Sequence, residues 1–273
     1  MKSFEFGTRK TVLLYLHGLR GHGYAQKSVL RHMSRTLNVS VVSLELPGHG
    51  KDSFKEHCMV PEYRRLVELI KNEVGRRAGR AEQVILMGYS FGAGLMTLVA
   101  DALDKDPDFA PKVAGLIGVS AAFDVAHNVP KWQLTLANVI APLSRFLYRH
   151  IPKWSRYITI REMDISLISP ELSVQESIRH DELVYKGRIP LNTSAQVYKT
   201  SVAALSTLNT LSVPVLLVHS ADDPIALAPK ADDLAPHVRL KLFTNLRHNC
   251  IDGVSREVVM SRREITEFIV KKL

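Results

Sequence analysis

Residues Gly88-Tyr89-Ser90-Phe91-Gly92 constrain this chain more than any other stretch. An apolar run, Gln83-Val84-Ile85-Leu86-Met87, precedes them and reads as a buried strand. Ala93 to Ala100 follows with the composition of a buried helix. A serine held between such a strand and helix must sit on a sharp turn with a strained, positive φ. The positions two residues to either side pass close to that turn, and only glycine lacks the Cβ that would collide. The helix that starts at Ser90 turns its free N–H groups and its positive dipole end toward the hydroxyl. The stretch therefore exposes a nucleophile and sets a donor, the Phe91 N–H, beside it. That context is what gives a Gly-x-Ser-x-Gly match its chemical meaning.

The rest of the chain alternates around this unit. Thr11 to Leu16 is apolar on both faces, as a central strand of a parallel sheet must be. Helical spacing over Tyr24 to Leu37, a strand over Val39 to Leu44 and a helix opened by Pro61 and running to Ala78 come next. Val113 to Val119 is a further strand. The pattern resumes with a helix near Ala195 to Leu208, a strand over Val213 to His219, a helix around Pro224 to Leu234 and a strand over Val238 to Phe243. A closing helix spans about Ser255 to Lys271. The expected architecture is α/β, a mostly parallel doubly wound sheet with right-handed crossovers. Between 123 and 195 strand-like runs are few and prolines frequent. Leu134 to Tyr148 reads as an amphipathic helix there. We expect a core made of 1–122 and 196–273, with 123–195 inserted as a helical cap.

Composition narrows the classes. The 273 residues are 46% hydrophobic, enough for one large α/β domain. The net charge of +9 favours anionic surfaces or substrates, but no nucleic-acid-binding signature is present, and nucleic acid is not expected as a partner. Two cysteines, Cys58 and Cys250, make no disulfide framework, so a cytoplasmic setting is expected. The first ten residues lack an apolar core of the kind a secretory signal needs. No apolar run approaches the roughly 20 residues that span a bilayer.

A serine hydroxyl needs a base. Among the eleven histidines, His248 lies in a loop between the last strand and the last helix. That loop opens at the carboxyl edge of the sheet, the edge that also carries Ser90. His17 ends the first central strand and suits a supporting role. The base needs an acid to fix its tautomer. Asp222 and Asp223 both leave the carboxyl end of the strand that ends at His219. Acyl transfer also needs oxyanion donors. One is the Phe91 N–H. The second is expected from His17-Gly18-Leu19-Arg20-Gly21-His22-Gly23, where Gly18 lets the loop fold back and aim the Leu19 N–H inward. The mechanism calls for no cofactor and no metal.

The His17-Gly18 loop, Leu46-Pro47-Gly48-His49-Gly50, the Gly88–Gly92 elbow, the Asp223 loop and His248 together resemble an α/β-hydrolase. The chain order Ser, Asp, His is the order of that fold, and the resemblance implies Asp223, before Pro224, as the acid. Glu45 to Ser53 resembles the Gly-His-Gly-x-Ser loop of monoacylglycerol lipases and lysophospholipases. His180 to Arg188 resembles the segment that ends their cap. Ser220 and Asn245 replace glycines usual in the family, and the Gly48–Ser53 loop has one residue more.

The expected function is hydrolysis of a carboxylic ester by Ser90, His248 and Asp223, on a small substrate with an acyl chain. A thioesterase, an amide hydrolase and an acyltransferase share these motifs, and a non-enzymatic receptor could share the fold. Arg145, Arg149, Lys153, Arg156 and Arg161, interleaved with aromatics and no acid, mark a candidate contact with an anionic membrane. Acyl-chain length, head group and oligomeric state are not encoded in these motifs.

Overall fold

The computed structural model describes residues 1–52, 58–125 and 162–273, together with 135, 139, 140, 142, 143, 146, 150, 159 and 160. Four strands carry the centre: β2 (Thr11–Leu16), β4 (Gln83–Tyr89), β5 (Val113–Val119) and β8 (Val215–Ser220). With β1 (Ser3–Phe6), β3 (Ser40–Leu44) and β9 (Val238–Phe243) they make a seven-stranded sheet, ordered β1-β3-β2-β4-β5-β8-β9. Every pairing in it is parallel except β1 with β3.

The continuous apolar runs are explained by burial on both faces. Along β2, Leu14 and Leu16 face one core layer while Leu13 and Tyr15 face the other. The first layer is closed by α2 (Tyr63–Ala78), α3 (Phe91–Asp104) and α5 (Leu191–Leu208), through Leu66, Ile70, Leu95, Val99 and Leu208. The second is closed by α1 (Lys27–Leu37) and α6 (Arg256–Val270), through Leu30, Met33, Ile265 and Ile269. Each of these fully buried aliphatics contributes about 2 kcal/mol of transfer free energy.

Between β5 and α5 the described elements include an antiparallel pair, β6 (Thr159–Ile160) with β7 (Ile189–Pro190), and α4 (Leu172–His180), which lies between them in sequence. Most of the helix expected over Leu134 to Tyr148 lies outside the described residues. Within it Val139, Leu143 and Phe146 are helical and 70%, 54% and 57% exposed. One expectation fails. Pro224 to Leu234 is not a helix and holds only a single 3₁₀ turn, Ala231–Asp233. Pro229 sits in its middle, where it removes a donor and collides with the preceding turn. The N–H groups of Ile225 and Ala226 are taken by the Asp223 carboxylate instead.

Candidate active site

The carboxyl ends of β2, β4, β8 and β9 converge on one edge. Ser90 links β4 to α3 with φ 53° and ψ −120°, the left-handed turn its neighbours imply. The elbow glycines are required by contact. A Cβ on Gly88 would lie 2.5 Å from the Ala93 backbone, and one on Gly92 would lie 2.4 Å from the carbonyl oxygens of Leu16 and His17. The turn is pinned across strands by the Ser90 N–H, which donates to the Val119 carbonyl at 2.9 Å.

From Ser90 a continuous hydrogen-bonded chain runs inward. Ser90 Oγ is 2.8 Å from His248 Nε2, and His248 Nδ1 is 2.7 Å from Asp223 Oδ2. Asp223 Oδ1 accepts from the N–H groups of Ile225 and Ala226 at 2.8 and 3.1 Å. Burial alone would raise this carboxyl. The charge of His248 and the N–H groups of His219 and His248 outweigh it and hold Asp223 well below the usual carboxylate range. Asp222 is exposed and accepts the Ser220 hydroxyl at 2.5 Å. Of the two adjacent aspartates, Asp223 is the one the fold brings to His248.

The two expected donors belong to segments that adjoin the serine. Phe91 is the first residue of α3, so its amide has no partner within the helix. Gly18 packs so tightly on the elbow that an added Cβ would lie 3.0 Å from the Cβ of Ser90, which brings the Gly18–Leu19 turn alongside. Neither the Leu19 nor the Phe91 amide is taken by another group among the described residues.

His17 is locked in place. Its Nδ1 donates to the Gly18 carbonyl at 2.7 Å and its Nε2 accepts the Leu46 N–H at 3.1 Å. Burial, and then the neighbouring His49, holds its basicity well below the usual histidine value. His49 is likewise buried and lowered to about 4, against 6.5 ordinarily, and its Nε2 has no hydrogen-bond partner among the described residues. Sequence reasoning passed over His219, the penultimate residue of β8. Its buried Nε2–H is aimed at the Ala226 carbonyl at 2.9 Å, and Asp223 Oδ2 lies beside the same nitrogen at 3.1 Å. The signal available was a histidine four residues before the acid, closing an otherwise apolar strand. Among the described residues no group of three His, Cys, Asp or Glu could hold a metal ion.

The family profile described as serine aminopeptidase, S33 (Hydrolase_4) matches residues 7–252. The chain belongs to this hydrolase family. Solved structures of the same fold accompany the match. The monoacylglycerol lipase of Paleococcus ferrophilus is 19% identical, with a TM-score of 0.78 over 100% of this chain and 99% of that one. A soluble variant of the monoglyceride lipase of Saccharomyces cerevisiae, crystallised with a substrate analogue, is 14% identical, with a TM-score of 0.75 over 99% and 90%. A thermophilic esterase of Thermogutta terrifontis is 17% identical, with a TM-score of 0.57 over 99% and 91%. No curated protein matches significantly. The chain is therefore an S33-family hydrolase on the α/β-hydrolase fold.

Proposed function

We propose that this hydrolase cleaves carboxylic esters through an acyl-enzyme on Ser90. The observation that carries the reading is the unbroken chain from Asp223 through His248 to a serine on a strained turn. Ser90 Oγ attacks the ester carbonyl as His248 Nε2 takes its proton. Asp223, bound to Nδ1, fixes the tautomer and stabilises the imidazolium. The Leu19 and Phe91 amides hold the oxyanion, and one such donor is worth roughly a hundredfold in kcat or more. His248 then gives its proton to the leaving alcohol. Water, deprotonated by the same nitrogen, releases the acid.

The substrate class is a lipophilic acyl ester of the monoacylglycerol or lysophospholipid kind. It is supported by the loop and cap-end resemblances and by the likeness to two lipases of that chemistry. The core comprises 1–122 and 196–273, and 123–195 forms a cap over Ser90. The cap touches anionic lipid. Its five basic residues between Arg145 and Arg161 are each worth about 1 kcal/mol at such a surface, and the exposed Val139, Leu143 and Phe146 offer it apolar contact. Amide cleavage is the second reading, favoured by the family's description as an aminopeptidase.

A fluorophosphonate probe should label Ser90. Turnover of p-nitrophenyl esters, lysolipids and an aminoacyl p-nitroanilide, compared side by side, separates the readings. Faster anilide than ester turnover would displace the first, and labelling without any turnover would favour a receptor. Sedimentation with anionic but not neutral vesicles tests the membrane contact.

A further inference from the structure

The loop that supplies Leu19 contains Gly18, Gly21 and Gly23, so it has little conformational preference of its own. Three bonds fasten it to a segment distant in sequence. The Tyr185 N–H donates to the Arg20 carbonyl at 2.9 Å. Arg20 Nη1 donates to the Gly187 carbonyl at 2.8 Å. His22 Nε2 lies 2.9 Å from Asp181 Oδ2. The direction of the last bond follows from the other ring nitrogen. His22 Nδ1 accepts the Tyr24 N–H at 3.2 Å, so Nε2 carries the hydrogen and donates.

The segment is itself tied down. Asp181 Oδ1 accepts the Leu183 N–H at 2.9 Å, and Lys186 Nζ donates to the Asp181 carbonyl at 2.5 Å. Arg20 and His22 are only 7% and 3% exposed, and Arg20 has a left-handed φ of 68°. A buried arginine in that conformation persists only when its surroundings over-determine it. The residues so held stand immediately after Leu19 and one glycine further on.

We propose that the 181–188 segment is a strap that sets the Leu19 amide for the oxyanion, acting through Arg20, His22 and Asp181 as positioning residues. The inference rests on the reading of Ser90 as nucleophile and Leu19 as oxyanion donor. It gives the Asp-x-Leu-Val-Tyr-x-Gly stretch a task in the chemical step. A donor displaced by an ångström forfeits most of its effect on the transition state while leaving ground-state binding nearly intact.

The test is steady-state hydrolysis of a soluble short-chain p-nitrophenyl ester, paired with inhibition by phenylboronic acid, whose tetrahedral adduct mimics the oxyanion. Asp181→Ala removes the acceptor of His22, and Arg20→Met removes the bond to Gly187. Each should lower kcat roughly tenfold or more with KM within about twofold, and weaken boronate inhibition in proportion. Asp181→Asn keeps an acceptor for the His22 N–H and should stay within about threefold of wild type. Wild-type kcat and boronate affinity in both Asp181→Ala and Arg20→Met would overturn the strap. So would equal losses in Asp181→Asn and Asp181→Ala, since charge and not the bond would then be responsible. Wild-type protein that neither reacts with a fluorophosphonate nor turns over ester would remove the Ser90 reading and the strap with it. Wild-type reactivity beside unimpaired variants would remove the strap alone.

Discussion

The two ends of the parallel sheet contrast sharply. At the carboxyl end the strands run into turns held at positive φ, at Ser90, Ser120, Asn245 and Arg247. Buried histidines lie among them, each engaged by a named acceptor or donor. At the amino end a cavity of about 830 Å³ opens between the Gly7–Thr11 turn, Asn38 and Arg80. Arg9, Lys10 and Arg80 are exposed there, Lys10 pairs with Glu82, and Arg77 pairs with Glu5. Charge and open volume gather at one end, while most of the positive-φ turns and the buried polar order gather at the other. A search guided by the net charge of +9 leads away from the serine. Strain is tolerated where surrounding packing over-determines it, and that is the condition chemistry also needs.

The contrast can be broken from either side. Ser90→Ala should cost roughly a millionfold in kcat with unchanged folding, and residual ester turnover near the wild-type rate would move the nucleophile elsewhere. Asp223→Asn should lower kcat about ten-thousandfold. Asp222→Asn at an exposed position should change it only a few-fold, and the reverse ranking would exchange their roles. Gly92→Val places a branched side chain against the Leu16 and His17 carbonyl oxygens. It should cost about 4 kcal/mol in urea denaturation or prevent folding, and wild-type stability would refute the tight-turn argument.

A smaller effect comes from His49. Its folded value of about 4 lies below its ordinary 6.5, so it stabilises the neutral fold above 6.5. That contribution is lost as pH falls from 6.5 toward 4, and is gone below 4, about 3 kcal/mol in all. His49→Asn, which keeps a donor toward Pro47, should flatten the stability profile across that window. An unchanged profile would mean that His49 takes up its proton at the same pH in the folded and the unfolded chain. The smallest effect belongs to the amino end. Arg9→Glu with Arg80→Glu should leave ester turnover within about twofold, and a large loss would tie that cavity to the site.

How far the sequence spoke depended on whether the signal was local. The elbow was legible because a strand, a serine between two glycines and a helix are contiguous. The strands read over 11–16, 83–87 and 113–119 were legible because burial on both faces leaves an unbroken apolar run. Strand β1 was not, because Ser3–Phe6 is short and half-buried and becomes a strand only by pairing antiparallel with β3. Asp223 was preferred to Asp222 by resemblance alone, since adjacent residues share every local property and differ only in which faces the histidine. The bonds of Arg20 and His22 to the 181–188 segment were illegible for a related reason. They depend on where distant loops meet, and nothing in either segment alone records its partner.

The two cysteines have a consequence for watching the molecule work. Cys58 and Cys250 are both buried, and burial pushes each thiol up to about 12. At neutral pH almost no thiolate exists at either position, and maleimide chemistry needs thiolate. The natural chain is therefore silent toward such dyes without any cysteine having to be removed. A cysteine introduced at Val139, which is 70% exposed, would stand alone as the reactive thiol. A single fluorophore could then report, on otherwise unaltered protein, whether that helix changes its surroundings as lipid is added.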